Sequence, residues 1–97
     1  LGDVYKRQRY KRVMLHIYTV KKDEVVDTYL EKFHHGITAL DGYGGYSHHP
    51  VSYLTAIVSS YEVGDVLEAL KETDPKIIVS VTKVENFIGR FYNKPLD

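Results

Sequence analysis

The chain contains no cysteine, so neither a disulfide nor a thiolate metal site can hold it together. It carries no net charge, because thirteen Lys and Arg residues cancel thirteen Asp and Glu; nothing global steers it toward nucleic acid. No run approaches the roughly 18 apolar residues needed to cross a bilayer, and no signal-peptide pattern is present. The segment is therefore expected to be soluble. Internal repeats and low-complexity linkers are also missing. Ninety-seven residues do allow one small domain that buries a modest fraction of its surface, for which oligomerisation is a natural source of further burial.

The chain opens on Leu1 rather than methionine, which reads as a fragment or a processed product. Asp3-Val4-Tyr5-Lys6-Arg7-Gln8 matches the translation of a transposase-end adapter used in sequencing libraries. Residues 1–8 are read as a non-native leader, with a real basic leader as the alternative, and the gene is expected to continue upstream. Residues 9–91 then form the domain and residues 92–97 a tail.

Apolar periodicity divides the domain into six elements. Val13 to Val20 reads as a strand, with Val13, Leu15 and Ile17 on one side and Met14, His16 and Tyr18 on the other. Asp23 and Glu24 suit the first turn of a helix, whose apolar face is Val25, Val26, Tyr29, Leu30 and Phe33. Gly36 is the expected helix stop. A second strand runs from Ile37 to Tyr43 and a third from Val51 to Ser59, with a turn from Asp41 through Pro50 between them. Ser59-Ser60-Tyr61-Glu62 is a capping-box pattern, leading into a helix with Val63, Val66, Leu67 and Leu70 on one stripe. Gly64 weakens that helix somewhat, and Asp74-Pro75 ends it. Lys76 to Val84 is a fourth strand, and Glu85 to Arg90 a turn or helical stub. The order β-α-β-β-α-β predicts an α+β, ferredoxin-like fold: a four-stranded antiparallel sheet with two helices on one face. Met14 and Tyr18 lie opposite Val13, Leu15 and Ile17 on the first strand, and Leu54, Ala56 and Val58 lie opposite Val51, Tyr53 and Ile57 on the third. Both sheet faces are therefore apolar, and the second is expected to be buried in a homo-oligomer.

The densest stretch is Gly36-Ile-Thr-Ala-Leu-Asp-Gly-Tyr-Gly-Gly-Tyr46. Gly42, Gly44 and Gly45 leave bare backbone whose N–H groups can face an anionic ligand, with Thr38 and Asp41 as orienting groups. The alternative is a long hairpin whose glycines serve only positive-φ positions. No Gly-Lys-Ser/Thr occurs, so this is not a Walker loop, and phosphate hydrolysis is not indicated.

This run resembles the central motif of the DUF2179 domain, the C-terminal cytoplasmic domain of YitT-type bacterial membrane proteins. Val58-Ser-Ser-Tyr-Glu-Val63, Asp74-Pro75-Lys76 and Ile88-Gly-Arg-Phe91 resemble its later motifs, and the similarity extends from about Val13 to Phe91. The resemblance implies a PII-like fold, a homo-oligomer that is a trimer as in PII proteins, ligand clefts between subunits, and transmembrane helices upstream in the same polypeptide. It also implies a place on the cytoplasmic face of the bacterial cell membrane. The family is functionally uncharacterised. Many members carry a basic residue before the glycine, where this chain has His34-His35-Gly36.

Arg90 is the best lone candidate for gripping a carboxylate or phosphate, since its planar fork binds both bidentately; a surface salt bridge is the other fate open to it. Tyr43 and Tyr46 flank the turn glycines and can either stack on a base or pack beneath the hairpin. The ligand-binding set is thus Gly36, Thr38, Asp41, Gly42, Gly44, Gly45, Tyr46 and Arg90. His34-His35 and His48-His49 are separated by roughly 26 Å of strand and cannot share a metal within one subunit. They read as solvated side chains. Arg9, Lys11 and Arg12 fit the positive-inside pattern of a chain emerging from a membrane, or a solvated strand lead-in. No nucleophile, general base or carboxylate pair stands out, so no enzyme, cofactor or metal is expected. The function expected from the sequence is a regulatory domain of a multi-pass membrane protein that senses a small anionic metabolite or nucleotide. A purely structural oligomerisation domain is the alternative.

Overall fold

The computed structural model describes residues 12–85. The elements run β1 (Arg12–Thr19), α1 (Lys22–Lys32), β2 (Thr38–Tyr43), β3 (Pro50–Ser59), a 3-10 turn (Ser60–Glu62) that leads into α2 (Val63–Thr73), and β4 (Ile78–Val84). All four strands join one antiparallel sheet in the order β2-β3-β1-β4. This is the ferredoxin-like arrangement expected from the periodicity. The suggested leader at residues 1–8, the basic Arg9 and Lys11, Arg90 and the tail lie outside the described residues.

β1 lies inside the sheet, between β3 and β4, and its burial alternates along its length. Leu15 and Ile17 are fully buried and Val13 nearly so. They face Ala56, Leu54 and Val58 across the β1–β3 ladder. α1 covers them with Val25 and Tyr29, one helical turn apart, and α2 with Val66, Ala69 and Leu70. Phe33, Val63, Ile77 and Val79 close the margins of this core. Every residue of β2 is exposed, as befits an edge strand held by β3 alone.

α1 stops at Lys32, four residues before Gly36, and the expected glycine cap does not form. Phe33 is already extended (φ −128°, ψ 152°), with its N–H bonded to the carbonyl of Tyr29 at 2.9 Å. The reason is a change of period. Phe33 packs on the core with its ring 5.5 Å from that of Tyr29, and His35 and Ile37 are buried in turn while His34 is exposed. A two-residue period requires extended chain. The second helix begins as expected: the Ser59 N–H donates to Glu62 Oε1 at 3.0 Å in a capping box, although the first turn is 3-10.

Asp74 ends α2 and does more than break it. It is buried, takes the Thr19 hydroxyl at 2.6 Å and the Lys76 N–H at 3.1 Å, and so ties the α2–β4 turn to the end of β1. That turn holds Lys76 and Ile77 out of the ladder, and β4 starts at Ile78.

Truncating Leu15 to alanine in the centre of this core should cost about 2–5 kcal/mol. Val20→Ala, at an exposed position, should stay within about 0.5 kcal/mol. Urea unfolding of both variants checks the contrast.

Candidate functional site

The glycine-rich segment forms the hairpin between β2 and β3. Two of its N–H groups are used within the loop: Gly44 donates to the His49 carbonyl at 2.9 Å, and His48 donates to the Gly44 carbonyl at 2.8 Å. The left-handed residue is His48, at φ 61°. Gly42, Gly44 and Gly45 stay outside that region, so supplying positive φ is not their task. A Cβ at Gly44 would lie 2.9 Å from Ser47 Oγ, so a larger residue there would have to turn the exposed Ser47 side chain aside. That oxygen itself accepts the His49 N–H at 3.2 Å. Tyr43 stacks on His48 with ring centroids 6.0 Å apart, and Tyr46 is wholly exposed.

Asp41 anchors the hairpin to the first helix. Lys22, the first residue of α1, donates to both of its oxygens at 2.9 and 3.1 Å, and the Ser52 hydroxyl donates at 3.2 Å. The Lys22 hydrogen bond, then that of Ser52, hold the Asp41 carboxyl below its ordinary pKa; the same contact raises that of Lys22. Beside this cluster lies an open cleft of about 290 Å³, lined by Val20, Asp41, Gly42, Pro50, Val51 and Ser52.

The expected ligand residues separate into two groups. Asp41, Gly42, Gly44, Gly45 and Tyr46 share the hairpin end of the sheet. Thr38 pairs with Thr55, whereas Gly42 pairs with Val51, four residues or about 13 Å away. Gly36 lies beyond Thr38 again. Arg90 falls outside the described residues.

A second cluster stands at the far end of the sheet. His35 is not solvated, contrary to expectation; it is buried, with Nε2 2.9 and 3.1 Å from the two carboxylate oxygens of Glu62. Glu62 is thereby shared between the capping box and the segment entering β2. A cleft of about 280 Å³ opens here between Lys32, Phe33, His34, His35, Tyr61 and Glu62. The alternation Phe33, His35, Ile37 is the signal in the sequence that marks His35 as inward. His34, His48 and His49 are exposed, as expected. Among the described residues no group of three or more His, Cys, Asp or Glu side chains is placed to hold a metal ion.

The third arrangement is the sheet face that no helix covers among the described residues. Cross-strand pairs Met14–Ile57 and Tyr18–Tyr53 lie on it, with Ile78 of β4 opposite Tyr18 and Leu40 of β2 opposite Tyr53. In its centre Tyr53 Oη is 2.6 Å from His16 Nδ1, and Thr82 Oγ1 is 3.0 Å from His16 Nε2.

Residues 35–89 match the sequence model of a family described as "Uncharacterized protein conserved in bacteria (DUF2179)". Over 83 residues, 86% of its length, the chain is 25% identical to the UPF0750 membrane protein YitT of Bacillus subtilis, and it spans 30% of that relative. A functionally unknown protein from Pediococcus pentosaceus superposes with a TM-score of 0.70 at 19% identity, covering 86% of this chain and 99% of the other. A DUF2179 protein from Eubacterium ventriosum superposes at 0.62 with 24% identity, covering 73% and 97%. These two similarities establish the fold alone.

Asp41 contributes stability above the ordinary aspartate range, and loses it as pH falls through its lowered folded-state value. Lys22 contributes below its ordinary value, and loses it as pH rises through its raised one. Carboxyl-carbon NMR should therefore show Asp41 titrating below an ordinary aspartate. In Lys22→Gln the midpoint should move up, leaving only the smaller depression due to Ser52.

Proposed function

Since the chain belongs to the DUF2179 family of bacterial proteins, we propose that it is a cytoplasmic regulatory domain of a multi-pass membrane protein and works as a homo-oligomer, with its bare sheet face as the contact. The observation that carries this reading is the composition of that face. Tyr18, Leu40 and Ile78 are 43%, 57% and 63% exposed, beside half-buried Met14, Tyr53 and Ile57. A sheet surface that exposes large apolar side chains of this kind around a polar centre is what a second protein surface, rather than water, covers. The similarity to a membrane protein supports the attachment to transmembrane helices. Among the described residues no helix is long and apolar enough to cross a membrane, so such helices would be supplied by other segments of the polypeptide. The module works by assembly and binding, without catalysis of its own.

A second reading, sensing of a small anionic metabolite or nucleotide, is favoured by Lys22. Its ammonium is paired with the exposed carboxylate of Asp41, a residue that lines the hairpin cleft. An incoming anion would compete with Asp41 for that ammonium, release the hairpin from α1 and bias the attached membrane bundle.

Light scattering of the 97-residue chain tests assembly. The protein should run as an oligomer, and Ile57→Asp on the bare face should run as a monomer with unchanged circular dichroism. A monomeric parent protein would refute the assembly. For the second reading, a thermal-shift screen against nucleotides and phosphorylated metabolites should give a saturable rise of several degrees at about 100 times Kd. Lys22→Gln should abolish that rise.

A further inference from the structure

His16 stands midway along β1 at the centre of the bare face, stacked on Tyr53 with ring centroids 6.0 Å apart. Its hydrogen-bond partners are two hydroxyls, those of Tyr53 and Thr82. Each hydroxyl can donate or accept, so together they satisfy the neutral imidazole in either tautomer. They can also both accept from the imidazolium, but neither brings a negative charge. Among the described residues the other elements bring none either. On this face β1 offers Arg12 and Tyr18 besides His16, and β3 offers Tyr53. β2 and β4 contribute only uncharged side chains there, including Leu40, Ile78 and Thr82. Asp41 and Lys83 belong to the opposite face by register. Thr55, directly across from His16, has its hydroxyl oxygen buried with no partner among the described residues.

We propose that this face binds a second copy of the same chain while His16 is neutral, and that protonation of His16 drives the copies apart. The inference rests on the assembly proposed above and gives it a control. A second copy is the occupant because two such faces meet without a like-charge clash, their one cationic residue, Arg12, lying at the rim. Covering the face strips water from His16. A neutral imidazole keeps both its hydrogen bonds there, whereas an imidazolium becomes a desolvated charge with no counter-ion. Any symmetric assembly through this face also brings one such charge per copy. The contact is small: four strands at about 4.8 Å and seven residues at about 3.3 Å give a footprint of roughly 440 Å². Two footprints total about 900 Å², short of the roughly 1,200 Å² at which stable interfaces begin, so the contact is a weak one. A single protonation is decisive at that size.

Sedimentation velocity of the 97-residue chain at pH 7.5 and 5.5, at fixed ionic strength, tests the proposal, with circular dichroism confirming the fold at each pH. The association constant should fall on acidification, by up to about tenfold per pH unit for each copy bound. His16→Gln should assemble at pH 7.5 and show no loss at pH 5.5. If that variant declines like the parent, another histidine is responsible and the proposal fails. Equal assembly of the parent at both pH values also overturns it, while leaving the assembly standing; a parent monomeric at pH 7.5 removes both. Should His16→Gln not fold, NMR titration of His16 in the parent decides. Its midpoint must fall as protein concentration rises, and a concentration-independent midpoint refutes the linkage.

Discussion

Among the described residues two eleven-residue helices cover one face of a four-stranded sheet and leave the other bare, and that limit organises the rest of the fold. The face they take is set by β1, whose Val13, Leu15 and Ile17 pack against Val25, Tyr29, Val66 and Leu70. Strand pairing transmits the choice by register: Leu54, Ala56 and Val58 fall on the covered side, Tyr53 and Ile57 on the bare one. A one-residue slip would put Tyr53 and Ile57 under the helices and expose Leu54. The core that fixes the fold therefore also creates the apolar surface it leaves uncovered.

Polar contacts fasten the ends of this sandwich, and they are unequal. Thr19–Asp74 and His35–Glu62 are buried or nearly so. Removing one partner there strands a desolvated polar group. The Lys22–Asp41 pair, which alone among these ties the β2–β3 hairpin to α1, is largely in water, where ion pairs contribute little. With β2 exposed along its whole length, the hairpin is the loosely attached part of a firmly held domain. Elements that respond to ligands are drawn from such low-stability parts.

How much of this could be read from the residues depends on the kind of contact. The six elements were legible because apolar spacing and the Ser59–Glu62 box are local signals. The family motif was legible as well. The end of α1 was misread because Gly36 looks like a cap, whereas Phe33, His35 and Ile37 all turn inward and demand extended chain. His35 was assigned to solvent because its partner Glu62 is 27 residues away. Lys22–Asp41 is hidden for the same reason, being a contact between helix and hairpin that no spacing rule reports. Of the expected ligand set, the hairpin residues gather at one end of the sheet, while Gly36 and Thr38 belong to the other. A run contiguous in sequence lies along an edge strand and cannot converge on one point.

β3 connects these features. Ser52, on its covered side, donates to Asp41 beside the hairpin cleft; Tyr53, the next residue, turns to the bare face and meets His16. Ser52 and Tyr53 are held in register together by the ladders to β1 and β2. A displacement of the hairpin that shifts Ser52 therefore reaches Tyr53 without an intervening loop to absorb it. The polar centre at His16 gives such a shift something to act on. A wholly apolar face tolerates sliding, since its contacts are non-directional, whereas hydrogen bonds among Tyr53, His16 and Thr82 hold only in one geometry. An assembly built across that centre, as proposed, would accordingly be sensitive to where β3 lies, and β3 is the strand that continues into the hairpin.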